Sequence, residues 1–149
     1  MNIVLVAPEI PHNAGAAGRL ALATGSTLHL VRPLGFSLDE KAVRRAGLDY
    51  WDEVELRTWD SFDHLMSEHS EARFWFLSTK AKANLWEANF EKNDFLVFGR
   101  ESKGLPEEWT RRANALRIPM VPGSTRSLNL STAISIVLYE ACRQSGELS

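Results

Sequence analysis

The stretch Phe95-Leu96-Val97-Phe98-Gly99-Arg100-Glu101 decides the fold, because a fully apolar run leads directly into a polar loop that begins with glycine. A strand with one face in solvent alternates apolar and polar residues, whereas four consecutive apolar residues indicate a strand covered on both faces. Strands of that kind form parallel sheets with helices packed above and below. The stretch therefore predicts an α/β fold built on a mostly parallel sheet.

Five further short apolar runs, rich in β-branched or aromatic residues, recur along the chain, and each is followed by turn or helix signals. They occupy residues 3–7, 27–31, 54–56, 74–78 and 116–120. At this chain length, the alternation of strand and helix signals predicts a single domain over residues 1–149, with a disordered tail from about residue 145.

Helix signals are clearest in three places. Ser37 and Glu40 form a capping box with Gly47 as the stop, and Pro106 begins another helix ahead of two acidic residues. The third helix has an apolar stripe at helical spacing, formed by Leu130, Ala133, Ile134, Val137, Leu138 and Ala141. That stripe predicts a long final helix that packs against a large apolar surface.

The chain contains one cysteine, Cys142, and no cysteine or histidine pairs at metal-ligand spacing, so neither an intramolecular disulfide nor a metal site is expected. The apolar run at residues 3–7 is too short for a signal-peptide core or a membrane span. We therefore expect a cytoplasmic protein without a membrane partner.

The formal net charge of −2 does not indicate a nucleic-acid-binding protein, because such surfaces normally carry a basic excess. The positive charge is nevertheless clustered along the chain. The clusters are Lys41, Arg44 and Arg45; Lys80 and Lys82; Arg111 and Arg112; and Arg117 and Arg126. RNA binding would therefore depend on a local basic patch rather than on overall charge.

In open parallel sheets, ligands bind beyond the carboxyl ends of the strands, so functional residues are expected in the loops there. The first such loop, residues 8–19, contains Asn13, Gly15, Gly18 and Arg19. A dinucleotide-binding enzyme would need the pattern Gly-x-Gly-x-x-Gly, which this loop lacks. Arg19 offers a fixed cation with five hydrogen-bond donors, and the simpler alternative is a tightly packed helix with a solvated arginine.

Two later loops are also unusual. Residues 98–106 place two glycines around Glu101, which suits either a loop that wraps a ligand with its backbone or a polar turn with positive φ angles. Residues 118–131 are elaborate for a simple connection, although Ser127 and Asn129 could serve only as helix caps.

Together these residues resemble the signatures of the SPOUT RNA 2′-O-methyltransferases, and in particular the TrmL/YibK group that methylates the tRNA wobble nucleotide. The resemblance covers nearly the whole chain. The three signatures are Asn13 with Gly15 and Arg19; Phe98-Gly99 to Glu101 with Gly104-Leu105-Pro106; and Ile118-Pro119-Met120 with Ser127-Leu128-Asn129-Leu130-Ser131. The resemblance implies a C-terminal trefoil knot, which general rules of chain topology would not predict.

The resemblance also implies S-adenosylmethionine as the cofactor, S-adenosylhomocysteine as the product, and no metal. The implied cofactor-binding residues are Leu77, Ser78, Gly99, Ile118, Met120, Ser127 and Leu128. Arg19, Glu101 and Asn129 are the implied catalytic residues, and Asn13 and Arg19 are implied to bind the substrate. By the same resemblance, the protein is a homodimer that builds each active site near its interface and binds a tRNA anticodon stem-loop.

The implied reaction methylates the ribose 2′-hydroxyl at position 34 of leucine tRNAs, where the nucleotide is cytidine or 5-carboxymethylaminomethyluridine. Guanidinium groups have pKa values above about 12 and are poor bases, so we expect Arg19 to organise the phosphate and the 2′-oxygen. Glu101 has the alternative role of accepting hydrogen bonds from loop N–H groups. Asn129 is expected to help shape the pocket.

Three alternatives remain open from the sequence. The first is a non-catalytic RNA-binding module of the same fold, against which the retention of Arg19, Glu101 and the third signature argues. The second is a methyltransferase of the same family that acts on ribosomal RNA. The third is a nicotinamide oxidoreductase, for which the glycine pattern is missing.

Overall fold

The computed structural model describes residues 1–39, 41, 45 and 48–148, and its centre is a sheet of seven strands. The strands are β1 (Asn2–Val6), β2 (Thr27–Val31), β3 (Leu56–Trp59), β4 (Phe74–Leu77), β5 (Ala83–Asn84), β6 (Phe95–Phe98) and β7 (Ala115–Arg117). They lie in the order β3-β2-β1-β6-β4-β7-β5, and every neighbouring pair is parallel. The predicted α/β fold with a parallel sheet is confirmed.

Three strand predictions need correction. β3 was predicted two residues too early, because residues up to Glu53 form a 3₁₀ helix and the strand begins only at Leu56. β5 was missed, since two residues cannot show an apolar pattern. The run at residues 116–120 ends as a strand at Arg117, and the chain then passes Pro119, which has no N–H to donate to a neighbouring strand.

Three α-helices lie wholly within the described residues, α1 (Pro11–Thr24), α2 (Phe62–Glu68) and α3 (Leu130–Ser145), and 3₁₀ helices cover Leu48–Glu53, Leu85–Glu87 and Glu107–Arg111. The helix predicted after Pro106 is present as the last of these short segments. α3 carries the predicted stripe, and its residues Ile134, Val137, Leu138 and Ala141 are fully buried. The helix predicted from Ser37, Glu40 and Gly47 falls largely on residues outside the described ones. The trefoil knot stays a prediction.

The sheet is buried on both faces, because alternate residues of each central strand belong to two different apolar clusters. Ile3 and Leu5 of β1 pack in the cluster that contains α1 and α3, while Val4 packs in the cluster that contains α2. The same alternation holds in β6, where all four residues are at most 3% exposed. The apolar run from which the fold was predicted is therefore the central buried strand.

A polar group is buried on the α2 side of the sheet. His29 of β2 receives a hydrogen bond at Nδ1 from the Trp59 Nε1–H at 3.0 Å, and its Nε2 lies 2.9 Å from the Asn2 Oδ1. Because Trp59 can only donate, the proton of the neutral ring lies on Nε2. Burial, with smaller contributions from His69 and Arg57, lowers the pKa of His29 to about 4. The ring is therefore neutral at physiological pH.

None of the described helices is long and apolar enough to span a membrane. Within residues 1–39, 41, 45 and 48–148, no three acidic, histidine or cysteine side chains are grouped so as to hold a metal ion.

Candidate functional site

A cavity of about 530 Å³ lies beyond the carboxyl ends of β4, β6 and β7, next to the start of α1. Ten of the residues predicted from the sequence line it: Asn13, Leu77, Ser78, Gly99, Glu101, Ile118, Met120, Ser127, Leu128 and Asn129. They come from four separate parts of the chain, and the parallel sheet brings them together because all its strands end at the same edge. Their roles in binding or chemistry stay predictions.

The loop that follows β6 turns back tightly on itself. A Cβ atom at Gly99 would lie 2.1 Å from the Gly104 carbonyl carbon and 2.3 Å from the Leu105 nitrogen, so only glycine fits there. The Gly104 N–H donates to the Arg100 carbonyl at 2.9 Å, and Gly104 has a φ of +68°. This loop, residues 99–105, forms one wall of the cavity with its backbone.

Glu101 joins this loop to the segment between β1 and α1. Its Oε1 accepts the Glu9 N–H at 2.9 Å, and its Oε2 accepts the Ile10 N–H at 2.8 Å and the Asn13 Nδ2–H at 3.1 Å. Both carboxylate oxygens of Glu101 therefore already accept hydrogen bonds. These contacts match the alternative role considered for Glu101, an acceptor of loop N–H groups, more closely than that of a general base.

A second carboxylate, that of Glu9, connects the segment after β1 to the loop after β6. Glu9 Oε1 accepts both the backbone N–H of Ser102 at 2.9 Å and its Oγ–H at 2.6 Å. These two hydrogen bonds, together with the nearby charges of Arg100 and Lys103, lower the pKa of Glu9. Sequence reasoning missed this pair, because nothing local in the sequence connects two residues that are 93 positions apart.

Asn129 acts as the N-cap of α3. Its Oδ1 accepts the Ser131 N–H at 2.9 Å and the Ser131 Oγ–H at 2.6 Å. The capping alternative for Asn129 is thus what the geometry shows, and the same residue also borders the cavity. On the opposite side, Leu77, Leu116, Ile118 and Met120 provide an apolar surface.

Arg19 is the predicted residue that does not line the cavity. It is exposed on α1, and its guanidinium carbon lies 5.9 Å from the centroid of the Tyr50 ring. Asn13 lies on the same helix but faces Glu101. Arg19 and the cavity are therefore separate within one chain.

Four cations line the cavity in addition to the predicted residues: Lys80, Arg100, Lys103 and Arg126. Lys80 and Arg126 belong to charge clusters visible in the sequence, whereas Arg100 and Lys103 were noticed only as part of the loop around Glu101. None of the four forms a salt bridge with a residue that the structure describes. The two nearby carboxylates, Glu9 and Glu101, are occupied by N–H and O–H donors.

The arrangement suits binding and positioning better than acid–base chemistry. The cavity has the volume of a small-molecule site, and its lining includes both apolar side chains and the loop of residues 99–105. A flat, partly apolar ligand with hydrogen-bonding edges fits such walls. The positive side chains around it would attract an anionic partner.

Comparisons with known proteins agree with this geometry. The profile of the SpoU rRNA Methylase family matches residues 1–139. The tRNA (cytidine(34)-2'-O)-methyltransferase of Saccharophagus degradans is 47% identical over 148 residues, covering 97% of this chain and 96% of that relative. The enzyme of the same description from Burkholderia ambifaria is 43% identical over 152 residues, covering 97% and 96%.

Two solved structures are also similar. One, described as structural insights into the 2-OH methylation of C/U34 on tRNA, has a TM-score of 0.91 and 50% identity, covering 96% of this chain and 94% of that one. The other is the SpoU methyltransferase AviRb from Streptomyces viridochromogenes in complex with the cofactor AdoMet. It has a TM-score of 0.85 and 25% identity, covering 97% of this chain and 60% of AviRb.

Proposed function

This chain belongs to the SpoU rRNA Methylase family, and on that premise we propose that it methylates the ribose 2′-hydroxyl of the nucleotide at position 34 of a tRNA. The observation that carries the proposal is the convergence on one cavity of ten residues that the family resemblance implies as site residues. The full-length similarity to two tRNA (cytidine(34)-2'-O)-methyltransferases supports position 34 over other RNA sites.

The proposed methyl donor is S-adenosylmethionine, which supplies an electrophilic methyl group on a sulfonium. The AdoMet complex of AviRb supports this assignment. The predicted binding residues fit such a ligand, because Leu77, Ile118 and Met120 offer apolar contact while residues 99–105 and 127–128 offer backbone groups. No metal is part of the proposal.

The contribution of the protein is proposed to be positioning. Attack by a ribose oxygen on a sulfonium methyl group requires a nearly linear arrangement, which bound geometry can impose. Glu101 already accepts three hydrogen bonds, so we assign it to holding the loop rather than to taking the proton. Asn129 is assigned in the same way to capping α3 beside the cofactor.

Arg19 is proposed to organise the 2′-oxygen and an adjacent phosphate of the substrate at the cavity of a partner subunit. Arg19 does not line the cavity of its own chain, which supports this arrangement, since a homodimer would supply the arginine from the second copy. The planar guanidinium fork matches a phosphate group. Asn13 is proposed to border the same substrate site.

The substrate region is proposed to be the anticodon stem-loop of leucine tRNAs, with cytidine or 5-carboxymethylaminomethyluridine at position 34. A single-stranded loop can present its ribose to a cavity in a way that a duplex cannot. Four cations that line the cavity would bind its phosphates: Lys80, Arg100, Lys103 and Arg126. The reaction is expected to take place in the cytoplasm.

The test is incorporation of labelled methyl groups from S-adenosylmethionine into total tRNA from cells that lack this activity, followed by nucleoside mapping. We expect 2′-O-methylated nucleotides at position 34 of leucine tRNAs. Methylation of ribosomal RNA alone would contradict the substrate. Absence of both methylation and cofactor binding would instead favour a non-catalytic RNA-binding module.

A further inference from the structure

Two carboxylates connect the loop after β6 with the segment after β1. Glu101 of the loop accepts backbone N–H groups of the segment, and Glu9 of the segment accepts the Ser102 N–H of the loop. We propose that Glu9 is a positioning residue, which acts through Ser102 to fix the cofactor loop onto the start of α1. Glu9 itself does not line the cavity. The inference rests on the proposed cofactor site, and we call the Glu9, Glu101 and Ser102 contacts the interloop clamp.

The start of α1 requires an acceptor from elsewhere. Ile10, the residue at its N-cap, has no oxygen in its side chain, and α1 has no acidic residue in its first turn. Glu101 accepts the Ile10 N–H, as the acidic residue of a capping box accepts the N–H of the N-cap residue, and its negative charge lies at the positive end of the helix dipole. The helix that carries Asn13 and Arg19 is therefore oriented by a residue of the cofactor loop.

The backbone at Glu9 is held in place from a third direction. The Gly35 N–H donates to the Pro8 carbonyl at 2.9 Å, and a Cβ at Gly35 would lie 2.8 Å from the Glu9 Cα. Ala7, just before this segment, is buried and adopts a left-handed φ of +52°, a conformation that neighbouring contacts must stabilise. Glu9 is thus fixed at its backbone, and its carboxylate contacts the loop after β6 at Ser102.

The two carboxylates of the interloop clamp use their oxygens differently, so substitution by glutamine should affect them differently. Glu9 uses only Oε1 for both bonds from Ser102, so the amide oxygen of Glu9→Gln can accept both. Glu101 uses both oxygens, so Glu101→Gln must turn its NH₂ group towards an N–H donor. The clamp therefore tolerates glutamine at position 9 but not at position 101.

The experiment measures the affinity of the full-length protein for S-adenosylmethionine by calorimetry, without RNA. We expect Glu9→Ala to weaken binding about five- to tenfold, as loss of a hydrogen-bonded contact would. Glu9→Gln should restore affinity to within about twofold, whereas Glu101→Gln should not. Glu71→Ala is the matched control, because Glu71 is an exposed carboxylate far along the chain from both loops.

Hydrogen exchange of the ligand-free protein provides a second readout, in which Glu9→Ala should speed exchange of the Ser102 and Gly104 amides and leave those of β6 protected. Unchanged cofactor affinity and unchanged exchange in Glu9→Ala would overturn the proposal. Equal damage from Glu9→Gln and Glu9→Ala would also overturn it. Failure of the wild-type protein to bind S-adenosylmethionine would contradict the proposed cofactor, while the exchange measurement would still decide whether the clamp holds the loop.

Discussion

Arg19 lies on the exposed side of α1, where its guanidinium is near the Tyr50 ring. We expect Arg19→Ala to reduce single-turnover methyl transfer by about 100-fold or more, because a cation beside the developing negative charge is lost. Affinity for S-adenosylmethionine should stay within about twofold, since Arg19 does not line the cavity. Arg19→Lys should recover only part of the rate because lysine lacks the planar fork. Equal losses of rate and cofactor affinity would contradict the assigned role.

His29 makes stability depend on pH. Its pKa is about 4 in the folded chain against about 6.5 when unfolded, so the unfolded chain binds the extra proton between these values. The stabilisation is complete above pH 6.5 and is lost as the pH falls towards 4. Urea unfolding should show that the wild-type protein loses about 3 kcal/mol more than His29→Gln between pH 7 and pH 4. Parallel curves for the two proteins would exclude this effect.

At the scale of single residues, the sequence identified which side chains surround the site but not what each one does there. The spacing of the signatures named Glu101 and Asn129, yet their oxygens prove to be occupied by loop and helix N–H groups. Glu9 and Ser102 carried no sequence signal, because their contact arises only when β1 and β6 become neighbours. Local patterns cannot reveal such a contact.

The loop after β6 depends on glycine for two different reasons, which two substitutions can separate. Gly99→Ala would force its Cβ into the backbone of Gly104, so we expect S-adenosylmethionine affinity to fall by more than tenfold. Gly104→Ala meets nothing within 4 Å and suffers only from its positive φ, a cost of about 1 kcal/mol. Calorimetry and thermal unfolding on both variants provide the measurement. Undiminished binding in Gly99→Ala would remove this loop from the site.

The strands and helices with a clear apolar pattern were the ones whose positions could be predicted from the sequence. β6 could be predicted because all four of its residues are buried, and α3 because four of the six stripe positions are buried while Leu130 and Ala133 are half-buried. β3 lies at the edge of the sheet and is only partly buried, so the neighbouring Val54 was mistaken for its start. β5 exists only because β7 supplies its partner, a tertiary contact that no short segment encodes.

The charge distribution of the whole molecule also predicts how it binds RNA. Although the net charge is −2, four cations line the cavity, and none of them has a salt-bridge partner among the described residues. Lys103→Gln and Arg126→Gln should each weaken tRNA binding and lower the slope of log affinity against log salt by about 1. Lys92→Gln, an exposed control just before β6, should leave the slope unchanged. If all the variants showed the same salt dependence of tRNA binding, the tRNA phosphates would not be bound by Lys103 or Arg126.

The proposed homodimer predicts recovery of activity between two defective chains. Arg19→Ala and Gly99→Ala chains, each strongly impaired alone when the cofactor concentration is too low to fill the Gly99→Ala cavity, should form mixed dimers in which one composite site has both an intact cavity and an intact arginine. Random mixing places half of all dimers in that form, so activity should return to about a quarter of the wild-type value. The measurement is methyl transfer after the two proteins are unfolded together and refolded. No recovery would mean that Arg19 serves its own chain.

The strand order β3-β2-β1-β6-β4-β7-β5 has a consequence for folding of the chain while it is being synthesised on the ribosome. β1 is made first, yet its neighbour β6 is separated from it by about ninety residues, and β6 must enter between β1 and β4. β7 must then enter between β4 and β5. The nascent chain therefore exposes two unpaired sheet edges until β6 and β7 have been synthesised. During that interval the exposed edges make it most dependent on chaperones.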